Sequence, residues 1–294
     1  MRASAPRRKQ RTTVRTGVVL LTAAAVMSTA GCFDSSDAPS RNGPSRGGKS
    51  HAEGPAWNTR PSSIASLGDS ITRGFDACSV LSDCPKVSWS TGTDVNSLAQ
   101  RLRSGARSWN YAKTGALMAD LPGQMQAAAT RKPQLVTVMI GANDACRDSV
   151  ADMTPTDQFR STFASALTRL RREVPRTQVY VASVPDLKRL WSQGRKNVLG
   201  RQIWKLGICP SMLKDSDAMD AASTERRQQV DKRVDDYNRV LKDVCGKDPL
   251  CRYDDAVHNY RFTERELSKW DWFHPSKAGQ QRLAAMAYRR ITSP

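Results

Sequence analysis

The chain has 294 residues and a formal net charge of +18 at pH 7, with 46 Lys and Arg against 28 Asp and Glu. Hydrophobic residues make up 39% of the sequence, which suffices for a buried core and excludes a chain that is disordered throughout. Outside the N-terminus there is no apolar stretch of membrane length, which argues against a multi-span membrane protein.

Residues 1–31 have the pattern of an export signal. A basic stretch at 7–11 precedes an apolar run at 17–26, which is short for a membrane span, and small residues follow it. The ending Thr29-Ala30-Gly31-Cys32 resembles a bacterial lipobox and predicts lipidation of Cys32. Thr29 stands where that motif usually has Leu, and ordinary cleavage near Ala30 is the alternative. We therefore expect an exported protein that is either anchored to the outer face of the cell membrane or secreted.

Residues 32–60 are rich in Ser, Pro, Gly and Asp and lack apolar periodicity, which predicts a flexible linker before a domain at 61–294. Without the signal the chain keeps 40 Lys and Arg against 28 Asp and Glu, a charge of +12. This charge favours an anionic surface, either phospholipid headgroups or a cell-wall polymer. Solubility alone is the simpler explanation. We expect no nucleic-acid partner, because the basic residues are scattered and no nucleic-acid motif is present.

Seven cysteines include Cys32, which leaves an even number in the predicted domain. Six cysteines in an exported chain suggest three disulfides, with fifteen possible connectivities, and free buried thiols are the alternative. Pairing of cysteines that are close in sequence favours the following set. The expected disulfides are Cys78–Cys84, Cys245–Cys251 and, as the long-range bridge, Cys146–Cys209.

Apolar patterning predicts alternating strands and helices. The predicted strands are 63–67, 108–111, 135–140 and 178–182. The predicted helices are 94–102, 117–130, 156–174, 221–244 and 278–291. This alternation predicts an α/β fold, a three-layer α/β/α sandwich with a central and mainly parallel sheet. Ligand sites in such sheets lie at the carboxyl ends of the strands.

Three candidate side chains or loops follow predicted strands. Ser70 comes just after the first strand, where a helix N-terminus offers backbone N–H groups to negative charge; a plain serine N-cap is the alternative. Gly115 follows the second strand, and its backbone N–H is unobstructed by a side chain, as is also true of an ordinary turn glycine. Asn143 follows the most apolar strand and offers a neutral amide donor, unless it belongs to a simple Asn–Asp turn.

His274 is the main candidate for a general base among three histidines. His51 falls in the predicted linker, and His258 lies in a polar stretch that we expect at the surface. Asp271, three residues before His274 in a loop that ends at Pro275, can accept from the imidazole Nδ1–H and leave Nε2 for the serine. A structural Asp–His contact before a helix is the alternative.

Together these segments resemble the SGNH (GDSL) hydrolase superfamily, which carries Ser in GDS, a loop Gly, Asn in GxND, and Asp and His in DxxH. The matching segments in order are 68–70, Gly115, 141–144 and 271–274. Ala112 stands where the second segment usually has a glycine. The likeness is greatest to phospholipase B-like and secreted actinobacterial GDSL lipases and esterases, on residues 84–92, 143–146 and 208–210.

The resemblance implies a flavodoxin-like SGNH fold and a carboxylic ester hydrolase that works through an acyl-enzyme. It implies Ser70 as nucleophile, with Asp271 and His274 completing the triad. The Ser70 N–H, the Gly115 N–H and the Asn143 side chain would form the oxyanion hole. No metal or organic cofactor is implied, and the sequence has neither zinc-ligand spacing nor a nucleotide fingerprint.

The expected substrate is a lipid or phospholipid acyl ester, cleaved by a monomer. Polysaccharide O-deacetylation on the same scaffold is the enzymatic alternative, and an inactive, surface-tethered binding protein is the non-enzymatic one. Tryptophans are candidates to line an acyl or sugar site, although core packing explains most tryptophans equally well. We expect Trp89, Trp270 and Trp272 in that role.

Overall fold

The computed structural model describes residues 56–102 and 107–294. The predicted signal, Cys32, His51 and most of the predicted linker lie outside the described residues. The last linker residues already contact the domain: Trp57 Nε1 donates to the Ile291 carbonyl at 2.9 Å, and the Arg252 guanidinium lies 4.3 Å from the Trp57 ring centroid. These contacts place Trp57 on the surface of the domain and not in a free linker.

Within residues 56–102 and 107–294, five parallel strands form one sheet in the order β2-β1-β3-β4-β5. The strands are β1 Ile64–Gly68, β2 Ser108–Asn110, β3 Leu135–Met139, β4 Gln178–Ala182 and β5 Cys251–Asp254. β1, β3 and β4 are buried along their whole length, because helices cover both faces of the sheet. This burial explains why these three segments are almost continuously apolar or small in sequence.

Eleven helices are seen in the described residues. They are α1 Ser70–Arg73, α2 Leu98–Arg101, α3 Leu121–Ala129, α4 Ala142–Ala145, α5 Thr156–Glu173, α6 Leu187–Gly194, α7 Val198–Trp204, α8 Pro210–Leu213, α9 Ala221–Cys245, α10 Ala256–Asn259 and α11 Lys277–Thr292. Within the described ranges, none of the helices combines the length and the apolar character needed to cross a bilayer.

The sheet order fixes the two helical layers and the position of a crevice. The connection from β1 to β2 steps to one side, whereas the three later connections step to the other. Since parallel crossovers are right-handed, the two sets cover opposite faces. Accordingly α3 packs on α5 and α5 on α9, while α2 packs on α11. The strand order reverses between β1 and β3, and the crevice forms beyond their carboxyl ends.

The α/β sandwich predicted from sequence is confirmed, with local differences. The predicted helix 94–102 is only α2, because the Ser97 side chain accepts from Gln100 N and starts the helix there. β5 was not predicted; it is a short edge strand whose Arg252 and Tyr253 are only half-buried, so it lacks an apolar run. The helices α6 to α8, between β4 and α9, were not predicted either.

All three expected disulfides are present. Cys78–Cys84 closes the loop after α1, and Cys245–Cys251 joins the end of α9 to the start of β5. Cys146–Cys209 joins the residue after α4 to the residue before α8. The segment from Leu187 to Asp220, called the insertion below, is thereby held against the carboxyl end of β3.

Candidate active site

Ser70 is placed by a tight turn at the end of β1. Gly68 has φ +142°, and a Cβ on it would lie 2.1 Å from the Met139 carbonyl oxygen, so a side chain there is excluded. Asp69 caps α1 by accepting from Ile71 N at 3.0 Å. Ser70 is the first residue of α1, so its own N–H has no acceptor within that helix. The turn thus presents both the hydroxyl and the backbone N–H of Ser70.

Gln124 of α3 fixes this turn from the side. Its Nε2 donates to the Gly68 carbonyl at 2.9 Å, and its Oε1 accepts from Gly68 N at 2.7 Å. The side chain is buried, so both bonds are protected from water. Sequence reasoning missed Gln124, because a glutamine inside an amphipathic helix gives no signal of its own.

His274 meets Ser70 across 204 residues of sequence, with 2.9 Å between Ser70 Oγ and His274 Nε2. The His274 Nδ1 lies against Asp271 Oδ2. A carboxylate only accepts, so Nδ1 carries the proton and the neutral ring leaves Nε2 to accept from the Ser70 hydroxyl. The structure therefore brings together the three side chains that the sequence singled out.

The Asp271–His274 turn is held by its own backbone. Asp271 Oδ1 accepts from Phe273 N at 2.9 Å and from His274 N at 3.0 Å. Trp272 between them has φ +55°, a left-handed conformation that is unusual for a bulky residue. Ser268 holds the turn further, because its N–H donates to the His274 carbonyl at 2.7 Å and its Oγ donates to the Asp76 carbonyl at 2.6 Å.

Charges set the pKa values of this pair. Burial acts to lower the pKa of His274, but the carboxylates of Asp271, Asp76 and Asp69 together outweigh it, so the His274 pKa lies above its usual 6.5. Burial acts to raise the pKa of Asp271, but His274 and the two backbone N–H groups outweigh it and hold this pKa below 3.8. Asp271 is completely buried and stays ionised, which suits a group that orients and stabilises an imidazolium.

Asp76 is a second carboxyl beside this pair, and sequence reasoning missed it. It is 1% exposed, its φ is +56°, and neither carboxyl oxygen has a hydrogen-bond partner in the described part of the chain. One polar atom from each of Asp76, Asp271 and His274 falls within 4.8 Å of the others. Burial, with the nearby Asp271 charge, raises the pKa of Asp76 to about 6.

These three groups also have the composition of a metal site, since two carboxylates and an imidazole can each offer one ligand atom. Both nitrogens of His274 are, however, already engaged, Nδ1 by Asp271 and Nε2 by Ser70. These side chains therefore fit the hydrogen-bonded series Asp271–His274–Ser70, in which His274 has no nitrogen left to bind an ion.

Two candidate oxyanion donors face the same cavity as Ser70 and His274. Gly115 has φ +81° and lies in the loop after β2. Asn143, in the first turn after β3, donates from Nδ2 to the Ala116 carbonyl at 3.0 Å. An amide NH₂ has two hydrogens, so this bond fixes the amide and leaves a second donor available.

Asp144 holds the Asn143 turn in place. One of its oxygens accepts from Met118 N at 2.8 Å and the other from the Thr154 hydroxyl at 2.7 Å. The carboxyl is fully buried, and burial raises its pKa. Asp144 thus ties the loop after β2 to the turn after β3, which are the two loops that carry the candidate donors.

The cavity beside Ser70 has a volume of about 170 Å³ and a largely apolar wall. Its wall comes from the four loops described above and from the insertion. The lining residues are Ser70, Ile71, Thr114, Gly115, Ala142, Asn143, Cys146, Pro185, Leu187, Leu190, Gly207, Ile208, Cys209, Phe273 and His274. The Cys146–Cys209 disulfide lies in this wall and joins the insertion to the turn that carries Asn143.

The tryptophan expectation needs correction. Trp89 is completely buried, with its Nε1 3.2 Å from Thr72 Oγ1 and its ring against Tyr180, so it is a core residue. Trp270 and Trp272 are half-buried, but neither borders the cavity. Trp272 packs instead against Gly200 of α7. A pattern of aromatic residues beside a motif does not reveal which way each ring points.

His258 also differs from its expected surface position. It is half-buried, its Nδ1 lies 3.2 Å from the Val184 carbonyl, and its Nε2 lies 3.3 Å from an Asp235 carboxylate oxygen. Asn238 Nδ2 lies 3.2 Å from the same Nδ1. His258 is therefore a packing residue between α9 and α10, away from Ser70.

Comparison with known proteins identifies the family of the chain. The model of the GDSL-like lipase/acylhydrolase family matches residues 64–286. Similar solved structures include a lipase/acylhydrolase from Enterococcus faecalis, with 20% identity, a TM-score of 0.49, and coverage of 78% of this chain and 95% of that chain. Phospholipase A1 from Streptomyces albidoflavus has 17% identity and a TM-score of 0.47, with coverage of 79% and 99%.

A family two carbohydrate esterase from Clostridium thermocellum is also similar, with 15% identity, a TM-score of 0.45, and coverage of 78% of this chain and 62% of that chain. No curated protein matches the chain significantly. The family model spans most of the chain, from β1 into α11. The chain therefore belongs to the GDSL-like lipase/acylhydrolase family, whose members hydrolyse ester bonds.

Proposed function

We propose that the protein is an exported serine ester hydrolase that acts on lipid-like acyl esters through Ser70, His274 and Asp271. The observation that carries the proposal is the continuous contact from Ser70 Oγ to His274 Nε2 at 2.9 Å and from His274 Nδ1 to Asp271, at the wall of an apolar cavity. A nucleophile, a base and an orienting carboxylate in this arrangement are the parts needed for acyl transfer.

Acylation starts when Ser70 Oγ attacks the ester carbonyl carbon and His274 Nε2 takes the hydroxyl proton. Asp271 keeps the resulting imidazolium in place and stabilises its charge. The tetrahedral intermediate collapses when the C–O bond to the alcohol breaks, and His274 returns the proton to the departing oxygen. Water then attacks the acyl-enzyme carbonyl while His274 takes a proton from the water. The bond to Ser70 Oγ breaks, His274 returns the proton to that oxygen, and the acid leaves.

The negative charge on the former carbonyl oxygen needs donors fixed before the reaction. Ser70 N, Gly115 N and the free hydrogen of Asn143 Nδ2 are the proposed set. They are carried on three separate strand ends and joined through Asp144 and Gln124, so they need little rearrangement when the charge develops.

The cavity wall favours an apolar acyl group. Leu187, Leu190, Ile208 and Phe273 border the space in front of Ser70, and burying an acyl chain against them removes apolar surface from water. An acetyl group would leave most of this wall uncovered. We therefore place acyl chains longer than acetyl ahead of sugar acetates as substrates.

The expected export of the protein supports a lipid ester as substrate. Three disulfides persist in an oxidising compartment, and the lipobox-like segment ending at Cys32 would tether a monomer to the outer face of the membrane. A tethered enzyme would meet lipid esters where they are concentrated. Mass spectrometry of the mature N-terminus distinguishes a diacylated Cys32 from ordinary cleavage near Ala30.

The decisive experiment is labelling with a fluorophosphonate probe together with hydrolysis of p-nitrophenyl esters of increasing acyl length. We expect labelling and turnover in the native protein and in Ser161→Ala, an exposed serine on α5, and loss of both in Ser70→Ala. His274→Ala should retain the fold and lose turnover. Turnover that persists in purified Ser70→Ala, or a native protein that never reacts, refutes the assignment. A maximum at acetyl would favour polysaccharide deacetylation instead.

A further inference from the structure

The exposed large apolar residues of the described chain fall in two segments, the loop closed by Cys78–Cys84 and the insertion. Each of them is between 48% and 68% exposed. They are Val80, Leu81, Val198, Leu199, Leu206 and Met219. Scattered apolar side chains on a protein surface need no explanation, but a concentration of them marks a binding surface.

Both segments are connected to the wall of the cavity beside Ser70. The first is the loop closed by Cys78–Cys84; its Asp83 accepts a hydrogen bond from the Thr114 hydroxyl, and Thr114 lines the cavity. The second is the insertion, in which Leu206 immediately precedes Gly207 and Ile208 of the cavity wall. Each of the two segments is therefore joined to the wall of the same cavity.

The helix α7 shows that this exposure is systematic. Positions 198, 199 and 202 lie on one face of α7, and positions 205 and 206 continue that face in the turn that follows the helix; all five are exposed. Three of them are Val198, Leu199 and Leu206. The opposite face of α7 packs against the domain, because Gly200 and Trp204 are buried against the Asp271–Trp272 turn. The outer apolar face thus has no partner within the described domain.

The charge of the insertion selects the kind of partner. Between 187 and 220 it has seven Lys or Arg against three Asp. Asp217 and Asp215 are paired with Arg201 and Arg226, and Asp220 caps α9. Lys196, Lys205 and Lys214 are exposed and form no ion pair with the described residues. Apolar side chains bordered by free lysines are typical of a helix that lies in the headgroup region of an anionic bilayer.

We propose that the outer face of α7, together with the Val80–Leu81 loop, docks on an anionic phospholipid surface and presents the cavity entrance to it. Leu199 and Leu206 would enter the interface, while Lys196 and Lys205 would reach phosphate groups through their long side chains. The Trp204–Asp271 hydrogen bond joins this surface to the turn that carries His274. The docking goes beyond ester hydrolysis, and its measurement does not require turnover.

The test measures binding of the chain from residue 32 onwards, without the predicted export signal, to phospholipid vesicles by co-sedimentation. All proteins carry Cys32→Ser so that no attached lipid contributes, and all share the same N-terminus. We expect binding to mixed phosphatidylglycerol and phosphatidylcholine vesicles and much weaker binding to phosphatidylcholine alone. Leu199→Ser with Leu206→Ser should lower binding on the order of tenfold or more, whereas Gln202→Ser on the same face should leave it unchanged.

A second arm tests the charge. Lys196→Gln with Lys205→Gln should lower binding to the anionic vesicles by about tenfold. Lys242→Gln with Lys247→Gln removes the same charge between the end of α9 and the start of β5. These lysines lie at the amino end of a strand, whereas the cavity lies at the carboxyl ends, so this change should have little effect. Hydrolysis of a water-soluble p-nitrophenyl ester should stay at the native level in all of these variants.

The two proposals fail separately. If Ser70→Ala binds vesicles normally but the native protein hydrolyses no ester, the docking surface stands and the hydrolase assignment falls. If hydrolysis is native but the leucine or lysine variants bind vesicles as well as the control variants do, the docking surface is wrong. A dimer in sedimentation velocity that Leu199→Ser with Leu206→Ser dissociates would also overturn it, since a second copy would then cover this face.

Discussion

Trp204 Nε1 donates a 2.6 Å hydrogen bond to the backbone carbonyl of Asp271. This bond joins the insertion to the turn that holds His274 against Ser70. Gly194 and Gly200 allow the approach, because a Cβ on either would lie less than 3 Å from Trp204 or Trp272. The insertion therefore supports the candidate catalytic turn as well as forming part of the cavity wall.

Replacing Trp204 with Phe tests this support. The ring would still fill its buried site, but the Asp271 carbonyl would lose its donor, which costs on the order of 1 kcal/mol. We expect kcat to fall by about three- to tenfold with little change in KM. Trp109→Phe on β2 is the matched control, since Trp109 is half-buried, packs beside Arg131 and does not line the cavity. An unchanged kcat in Trp204→Phe would mean that the bond has no role in positioning.

Removing the Asn143 amide tests the proposed oxyanion hole. Loss of one such donor costs on the order of a hundredfold or more in turnover. We expect Asn143→Ala to lower kcat by that factor while KM changes little. Thermal unfolding should show that the variant is folded, because Asp144 continues to hold the turn. A kcat within a few fold of native would show that Asn143 does not contact the developing charge.

The Asp76 carboxylate should shift the pH profile. Hydrolysis needs neutral His274, so kcat/KM should rise with pH around a midpoint above 6.5. Asp271, Asp76 and Asp69 all act to raise the pKa of His274. Asp76→Asn removes one of these charges and should move the midpoint to lower pH, with kcat in the plateau within about tenfold of native.

Asp271→Asn provides the comparison. It should move the midpoint further in the same direction and lower kcat by several orders of magnitude, because the imidazole loses both its orientation and its counter-charge. A midpoint in Asp76→Asn that equals the native one would show that the Asp76 charge is not felt at His274.

The Asp69 carboxyl should make stability fall as pH rises. Burial raises the pKa of Asp69 from 3.8 to about 7, so the folded chain binds this proton more tightly than the unfolded chain does. Its contribution is therefore most favourable below about pH 4 and is lost as pH rises towards 7. Asp69→Asn keeps an N-cap and removes the buried charge.

We expect Asp69→Asn to gain up to about 4 kcal/mol in unfolding free energy at pH 8, and little at pH 4. Urea unfolding of both proteins at the two pH values checks the difference. A gain of the same size at both values would point to altered packing and not to ionisation.

The long-range disulfide should stabilise both the domain and the cavity. Cys146 and Cys209 are 63 residues apart. Closing a loop of that length lowers the entropy of the unfolded chain, which stabilises the folded domain by about 4 kcal/mol. Cys146→Ala with Cys209→Ala should lose a comparable amount and raise KM for longer acyl esters, since both cysteines line the cavity. The pair Cys78→Ala with Cys84→Ala closes a much shorter loop and should lose less, about 2 kcal/mol.

The fold was predictable where the signal is local. The apolar run of β3 and the stripe of Phe159, Phe163, Leu167 and Leu170 along α5 depend on neighbouring residues in sequence, and both elements were located correctly. β5 was missed because an edge strand with half-buried Arg252 and Tyr253 has no such run.

The candidate site divides in the same way. The Gly68–Ser70 turn and the Asp271–His274 spacing are short-range patterns, and the sequence identified all of these residues; their catalytic roles stay predictions. Asp76, Gln124 and Trp204 act through partners at least fifty residues distant in sequence, so nothing near them indicated a role. Trp89 was misplaced for the same reason, since its ring packs against the distant Tyr180 in the core.

By itself the sequence determined the order of the strands and helices that have a clear apolar pattern, the turns at the strand ends and the kinds of side chain that follow them, because these depend on local backbone preference and apolar spacing. Only the tertiary structure decided which of those side chains meet, how deeply Asp69 and Asp76 are buried, and which apolar residues of the insertion remain exposed. Desolvation and charge interactions act over a few ångströms of space, and the chain brings those neighbours together only when it folds.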